Sequence, residues 1–148
     1  MTMSELALKP DHRIADRGGP TRVTRARQNR GRMADLSGRF AEESVARLLE
    51  GRGLQILHQR WRGKAGEIDM ILRDGNCFVF VEVKQSRSHE EAAGRLLRSQ
   101  QIRICNAALE FCATQPEGLN SEMRFDAALV DSLGRIDILE NAFGDCFA

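Results

Sequence analysis

The chain has 148 residues, a formal net charge of +1 and four cysteines. That length suits a single domain with a real hydrophobic core. No apolar run is long enough to span a membrane, and no apolar leader opens the chain. Cys77, Cys105, Cys112 and Cys146 form no CxxC pair, which argues against a zinc ribbon.

Charge is unevenly spread. Residues 1–34 carry a net +5 and residues 35–148 a net −4. The first segment is rich in Arg and Gly and lacks apolar periodicity, so it reads as a flexible basic tail able to touch nucleic acid through phosphates. A solvated extension is the plain alternative. MADLSGRFAEE opens directly into a helix, which makes Met33 a candidate start.

The body, 35–148, begins with a helix predicted over 36–52. Ser37 is its expected cap, and Phe40, Val45, Leu48 and Leu49 form its apolar stripe. Strands are predicted at 54–61, 67–73 and 77–84. The turn RGKAG joins the first two strands, and Asp74-Gly75-Asn76, a hairpin signal, joins the next two. After a polar loop, residues 91–113 read as one long helix packing through Leu96, Leu97, Ile102, Ala107, Leu109 and Cys112. Cys105 and Cys112 fall on one face of that helix and read as core thiols in a reducing compartment, so a cytoplasmic protein is expected. A strand at 123–130 and a last short strand in RIDILENAF complete the order α-β-β-β-α-β-β. A meander followed by a helical crossover gives a mixed α/β sheet flanked by helices.

The stretch GEIDMILRDGNCFVFVEVK places four charges on apolar strands. Side chains alternate along a strand, so Phe78, Phe80, Glu82 and Lys84 share one face of the third strand. Glu67, Asp69 and Ile71 share a face of the second. Pairing outward from the hairpin puts Asp69 near the level of Phe80 to Glu82. Two carboxylates and a lysine then converge. Mg²⁺ takes its oxygens from one or two carboxylates, here Asp69 and Glu82, with the Val83 carbonyl as a further donor. Lys84 would orient a water or balance developing charge, and Glu42 would reach in from the first helix. The plain alternative is a solvated Glu-x-Lys pair worth under about 1 kcal/mol.

With its flanking pieces this pattern resembles the PD-(D/E)xK nucleases, the restriction-endonuclease-like fold. More narrowly, it resembles the YraN family of uncharacterised bacterial proteins, often described as Holliday-junction-resolvase-like. The pieces run in order: GRFAEESVARLL, GLQILHQRWRGKAGEIDMI, FVFVEVK, RFDAALVD and IDILENAF. The resemblance implies Glu42, Asp69, Glu82 and Lys84 as the active-site set. It also implies Mg²⁺ or Mn²⁺ and a DNA substrate, branched in the resolvase-like case; a homodimer would suit cutting both strands of a junction. Relatives usually carry a lysine at the start of the long helix where this chain has Gln100, leaving Arg103 as the nearest basic match.

Arg60, Arg62 and Lys64 before the second strand, and Arg87, Arg98 and Arg103 after Lys84, are candidate phosphate contacts. His89 is a candidate general acid, with mere exposure as its plain alternative. Trp61 reads as packing, and Arg124 with Asp126 as a structural pair. The function expected is a metal-dependent DNA endonuclease. The alternative is a nucleic-acid- or partner-binding module on a nuclease-like fold with little or no catalysis, for which the net −4 of the body argues.

Overall fold

The computed structural model describes residues 22–145. Its elements are α1 (Arg22–Gly51), β1 (Gln55–Arg62), β2 (Glu67–Asp74), β3 (Cys77–Gln85), α2 (His89–Gly94), α3 (Arg98–Ala113), a single 3-10 turn (Gly118–Asn120), β4 (Glu122–Val130) and β5 (Ile136–Leu139). The five strands form one sheet in the order β1-β2-β3-β4-β5. β1, β2 and β3 pair antiparallel, β3 and β4 run parallel, and β5 returns antiparallel. Antiparallel neighbours need only tight turns, whereas the parallel β3–β4 pair needs a crossover, supplied by α2 and α3. The fold is therefore an α/β mixed sheet flanked by helices, in the expected element order. Among the described residues no helix is long and apolar enough to cross a membrane.

Pleating sorts the β3 side chains into two cores. Phe78 and Phe80 join Phe125, Phe143 and the α3 residues Ile104, Ala107, Ala108, Phe111 and Cys112 on one side. Val79 and Val81 join Met70, Leu72, Ala128, Val130 and the α1 residues Ala41, Val45, Ala46 and Leu49 on the other. Each large side chain so buried contributes about 1.5–3 kcal/mol. Phe111 centres the first core, edge-on to Trp61, Phe78 and Phe80 at centroid distances of 5.7, 5.4 and 6.0 Å. Trp61 is thus packing, as its sequence context predicts. At the β2–β3 turn Gly75 takes φ +58°, a region open to glycine without steric cost.

Several boundaries differ from those the sequence predicts. α1 begins at Arg22 instead of near 36, so residues 22–34, assigned to a flexible tail, are helical. Arg, Ala, Gln and Met are strong helix formers and need no apolar stripe to propagate a helix. Residues 1–21, which carry the rest of the basic tail, and Cys146 lie outside the described residues. The compact unit holding the sheet starts at Leu36. Ser37 consequently lies inside the helix and caps nothing; its hydroxyl donates to Gln85 Oε1 at 3.0 Å. Phe40, counted in the apolar stripe, is 64% exposed, and Ala41 and Ala46 take its place. The single helix predicted over 91–113 is two. Gly94 ends α2, and Leu97, in an extended conformation (φ −73°, ψ 151°), separates it from α3. The break rotates Leu97 and Ile102 to the surface, and Ile104, Ala108 and Phe111 fill the core instead. Cys105 is disulfide-bonded, not a thiol, while Cys112 is a buried free thiol.

Candidate active site

The site opens where two strands part. The β2–β3 ladder runs from Asp74↔Cys77 outward to Met70↔Val81 and stops. The next rung would be Asp69 and Glu82. There the Asp69 side chain replaces a ladder carbonyl: Oδ2 accepts the Val83 N–H at 2.9 Å. In extended backbone a residue's N–H and C=O leave by the same edge, so the Val83 carbonyl also leaves toward β2.

The pleat is also broken on the far side of β2. β1 and β2 pair at Gln59↔Met70 and Trp61↔Ile68, and the rung between them is Arg60 and Asp69. Arg60 has φ +52°. Strict alternation would put Ile68 and Ile71 on opposite faces of β2, yet both pack in the α3-side core. The switch falls at Asp69, the residue opposite the left-handed Arg60.

Glu42, Arg60, Glu67, Asp69, Glu82, Gln100 and Arg103 line the resulting cleft, of about 350 Å³. Glu82 is buried, and its ammonium partner is close: Lys84 Nζ lies 3.1 Å from Oε1. The Gln100 amide flanks the same lysine. With its oxygen toward Lys84 the O···Nζ distance is 3.3 Å, and its NH₂ donates to the Arg95 carbonyl at 2.9 Å. Glu42 accepts Arg60 Nε at 3.0 Å, and Glu67 accepts Arg62 at 3.2 Å.

Electrostatics follow from crowding acids in a half-buried cleft. Burial, and then repulsion from Glu82, push the Asp69 carboxyl up to about 7, although the Val83 N–H and Lys84 oppose the shift. Burial also raises Glu42, against the hydrogen bond from Arg60. Two abutting carboxylates, one of which keeps its proton near neutrality, form a donor set short of positive charge. All its atoms are hard oxygens, so the residues suit Mg²⁺ or Mn²⁺.

One carboxylate ties the turn between the first two strands to α3. Glu110 accepts the Lys64 and Ala65 N–H groups at 2.8 and 3.0 Å, and these bonds draw its carboxyl below the usual range. Gly63 makes the approach possible, since a Cβ there would sit 2.6 Å from both Glu110 Oε2 and Trp61 Cη2. Gly63→Ala is therefore expected to destabilise the fold by about 1–3 kcal/mol, the usual cost of overpacking. A chemical-denaturation midpoint equal to that of the parent would show that the turn yields.

Comparison with known proteins places this arrangement. Residues 41–130 match the model of uncharacterised protein family UPF0102. The chain belongs to UPF0102, the YraN family. It is similar to a UPF0102 protein of Cereibacter sphaeroides, 50% identical over 113 residues that span 76% of this chain and 97% of that protein. A UPF0102 protein of Ruegeria pomeroyi is 51% identical over 120 residues, 81% of this chain and 98% of that protein. One from Ruegeria sp. is 41% identical over 122 residues, 82% of this chain and 98% of that protein.

In this UPF0102 chain the structure gathers some of the expected residues and scatters others. Glu42, Asp69 and Glu82 line the cleft, with Lys84 bonded to Glu82. Of the basic candidates, Arg60 and Arg103 line it, and Arg62 joins through Glu67. Lys64 meets Glu110 through its backbone. Arg87 and Arg98 do not line the cleft: Arg87 pairs with Glu91 at 2.9 Å and Arg98 with Asp145 at 2.7 Å. His89 is likewise outside the lining, because its Nε2 lies 2.8 Å from the Arg135 carbonyl in the β4–β5 turn. Arg124 and Asp126 do pair, at 3.0 Å, and Asp126 also accepts the Asn141 N–H. Sequence reasoning missed Glu67 as a lining residue and Glu110 as the clamp. An acid facing Arg62 across a short turn was the available signal for the first; nothing local marks the second.

Proposed function

We propose that this UPF0102 protein is a metal-dependent endodeoxyribonuclease that hydrolyses phosphodiesters in branched or structured DNA. The observation that carries the reading is the Asp69–Glu82 pair at the parted strands, with Lys84 3.1 Å from Glu82. Charged groups in an apolar sheet are costly unless something offsets them, and a divalent cation would offset these. Asp69, Glu82 and the Val83 carbonyl would hold Mg²⁺ or Mn²⁺. Such an ion polarises a phosphate and generates hydroxide near neutral pH. Lys84, steadied by Glu82 and Gln100, would orient the attacking water and balance charge on the reacting phosphate. Arg60 and Arg103 would grip the backbone, and Glu42 would accept a hydrogen bond from water at the cleft mouth.

The net charge of −4 over residues 35–148 favours a second reading, a binding module with little catalysis. Incubation with a four-way DNA junction and Mg²⁺ or Mn²⁺ separates the two. Nicking or cutting that EDTA abolishes is expected. Junction binding that persists in EDTA, with no cutting at any metal concentration, would favour the module. We place the protein in the cytoplasm, where such a substrate is found.

A further inference from the structure

Three of the cleft's four carboxylates already have a basic partner in the chain. Glu42 is held by Arg60, Glu67 by Arg62 and Glu82 by Lys84, at 3.0, 3.2 and 3.1 Å. Asp69 and Glu82 already abut. Even so, among the described residues no three His, Cys, Asp or Glu side chains converge to hold a metal ion. Glu42 is the natural third acid, since it lines the same cleft, and Arg60 is what engages it.

Arg60 has an unusual backbone. It sits in a strand at φ +52°, on the rung opposite Asp69. Arginine enters that left-handed region only at an energetic cost, and such residues persist only where their surroundings impose them. The Arg60–Glu42 pair is partly open to water, with side-chain exposures of 39% and 21%. A pair of that kind is weak. A guanidinium binds phosphate through two parallel N–H bonds, and a DNA phosphate is therefore a strong competitor for it.

We propose that Arg60 is a latch on Glu42, opened by DNA. A backbone phosphate entering the cleft takes the Arg60 guanidinium and frees Glu42 to turn toward Asp69 and Glu82, so that DNA and a divalent cation bind cooperatively. Arg60 is thus a positioning residue for the acid cluster as well as a phosphate contact. The inference rests on the metal-dependent DNA reading above and adds an order to it: the acid cluster is completed when substrate arrives.

The test is Mn²⁺ binding, followed by the electron paramagnetic resonance of the free ion, on the full chain. Parent protein and Arg60→Asn are compared with and without a four-way DNA junction. Asparagine tolerates the left-handed backbone, so the variant keeps the strand; an unchanged circular dichroism melt checks this. For the parent, DNA is expected to tighten Mn²⁺ binding by about tenfold, an ordinary coupling between sites. In Arg60→Asn, Mn²⁺ alone is expected to bind tighter than to the parent, and the effect of DNA is expected to vanish. Equal Mn²⁺ affinities with equal tightening by DNA would overturn the latch while leaving the metal site standing. No Mn²⁺ uptake by either protein would sink the metal reading itself.

Discussion

Replacing Glu82 by alanine is expected to cut metal-dependent DNA cleavage by about 10³-fold or more while leaving the fold intact. The size follows from what the side chain does. It is one of two abutting acids, and a catalytic cation supplies several kcal/mol of transition-state stabilisation, each 1.36 kcal/mol or so being tenfold in rate. It is also the partner of Lys84 at 3.1 Å. Without it the ammonium loses its ion-pair partner and its aim. Ala127 lies beside Glu82 across the parallel β3–β4 pairing, so a shorter side chain meets no clash. Gel-resolved junction cleavage by parent and variant, at equal protein and Mn²⁺, measures the effect. A variant within a few-fold of the parent would show that Glu82 holds nothing the reaction needs.

The second large effect is on stability against pH. Asp69 titrates at about 7 in the fold against an ordinary 3.8. Between those values the folded protein binds a proton that the unfolded chain has released. Stability of the metal-free protein must therefore fall as pH rises through that window. Asp69→Asn removes the titration. The amide oxygen still accepts the Val83 N–H, and the repulsion from Glu82 disappears. At about pH 8 the variant is expected to exceed the parent in stability by about 1–3 kcal/mol, with the difference shrinking toward about pH 4. A smaller slope of the same sign remains, because burial also raises Glu42. Urea midpoints across this range, in EDTA, test the expectation; a variant less stable than the parent at high pH would contradict it. A gain in stability on removing a charge at a proposed catalytic site is the usual sign of strain kept for function.

The adjacency of Asp69 and Glu82 was legible in the sequence for a local reason. Asp74-Gly75-Asn76 closes a tight hairpin, and a tight hairpin leaves one register. Counting outward from the turn then brings Asp69 near the level of Phe80 to Glu82. What period-2 counting could not show is that the ladder stops there and that Asp69 caps the Val83 N–H. The contacts made by α3 were beyond local reading as well. Gln100 reaches Lys84 and Glu110 reaches the Gly63 turn because the crossover lays α3 against the sheet, a tertiary placement no short window encodes. The left-handed Arg60 was hidden too, since arginine carries no preference for that backbone. The helix break at Gly94 was masked by an apolar pattern that runs on through Leu96 and Leu97. In Arg87, Arg98 and His89, closeness in sequence to Lys84 was mistaken for closeness in space. The chain turns away after β3, and their partners are Glu91, Asp145 and Arg135.

The central claim is that Asp69 and Glu82 share one cation, and crystals soaked in Mn²⁺ above about pH 7, where Asp69 has released its proton, test it most directly. Anomalous density is expected between the two carboxylates, with both within ligand distance of the peak and the Val83 carbonyl beside it. A peak elsewhere, or none where both acids are ordered, would contradict the account.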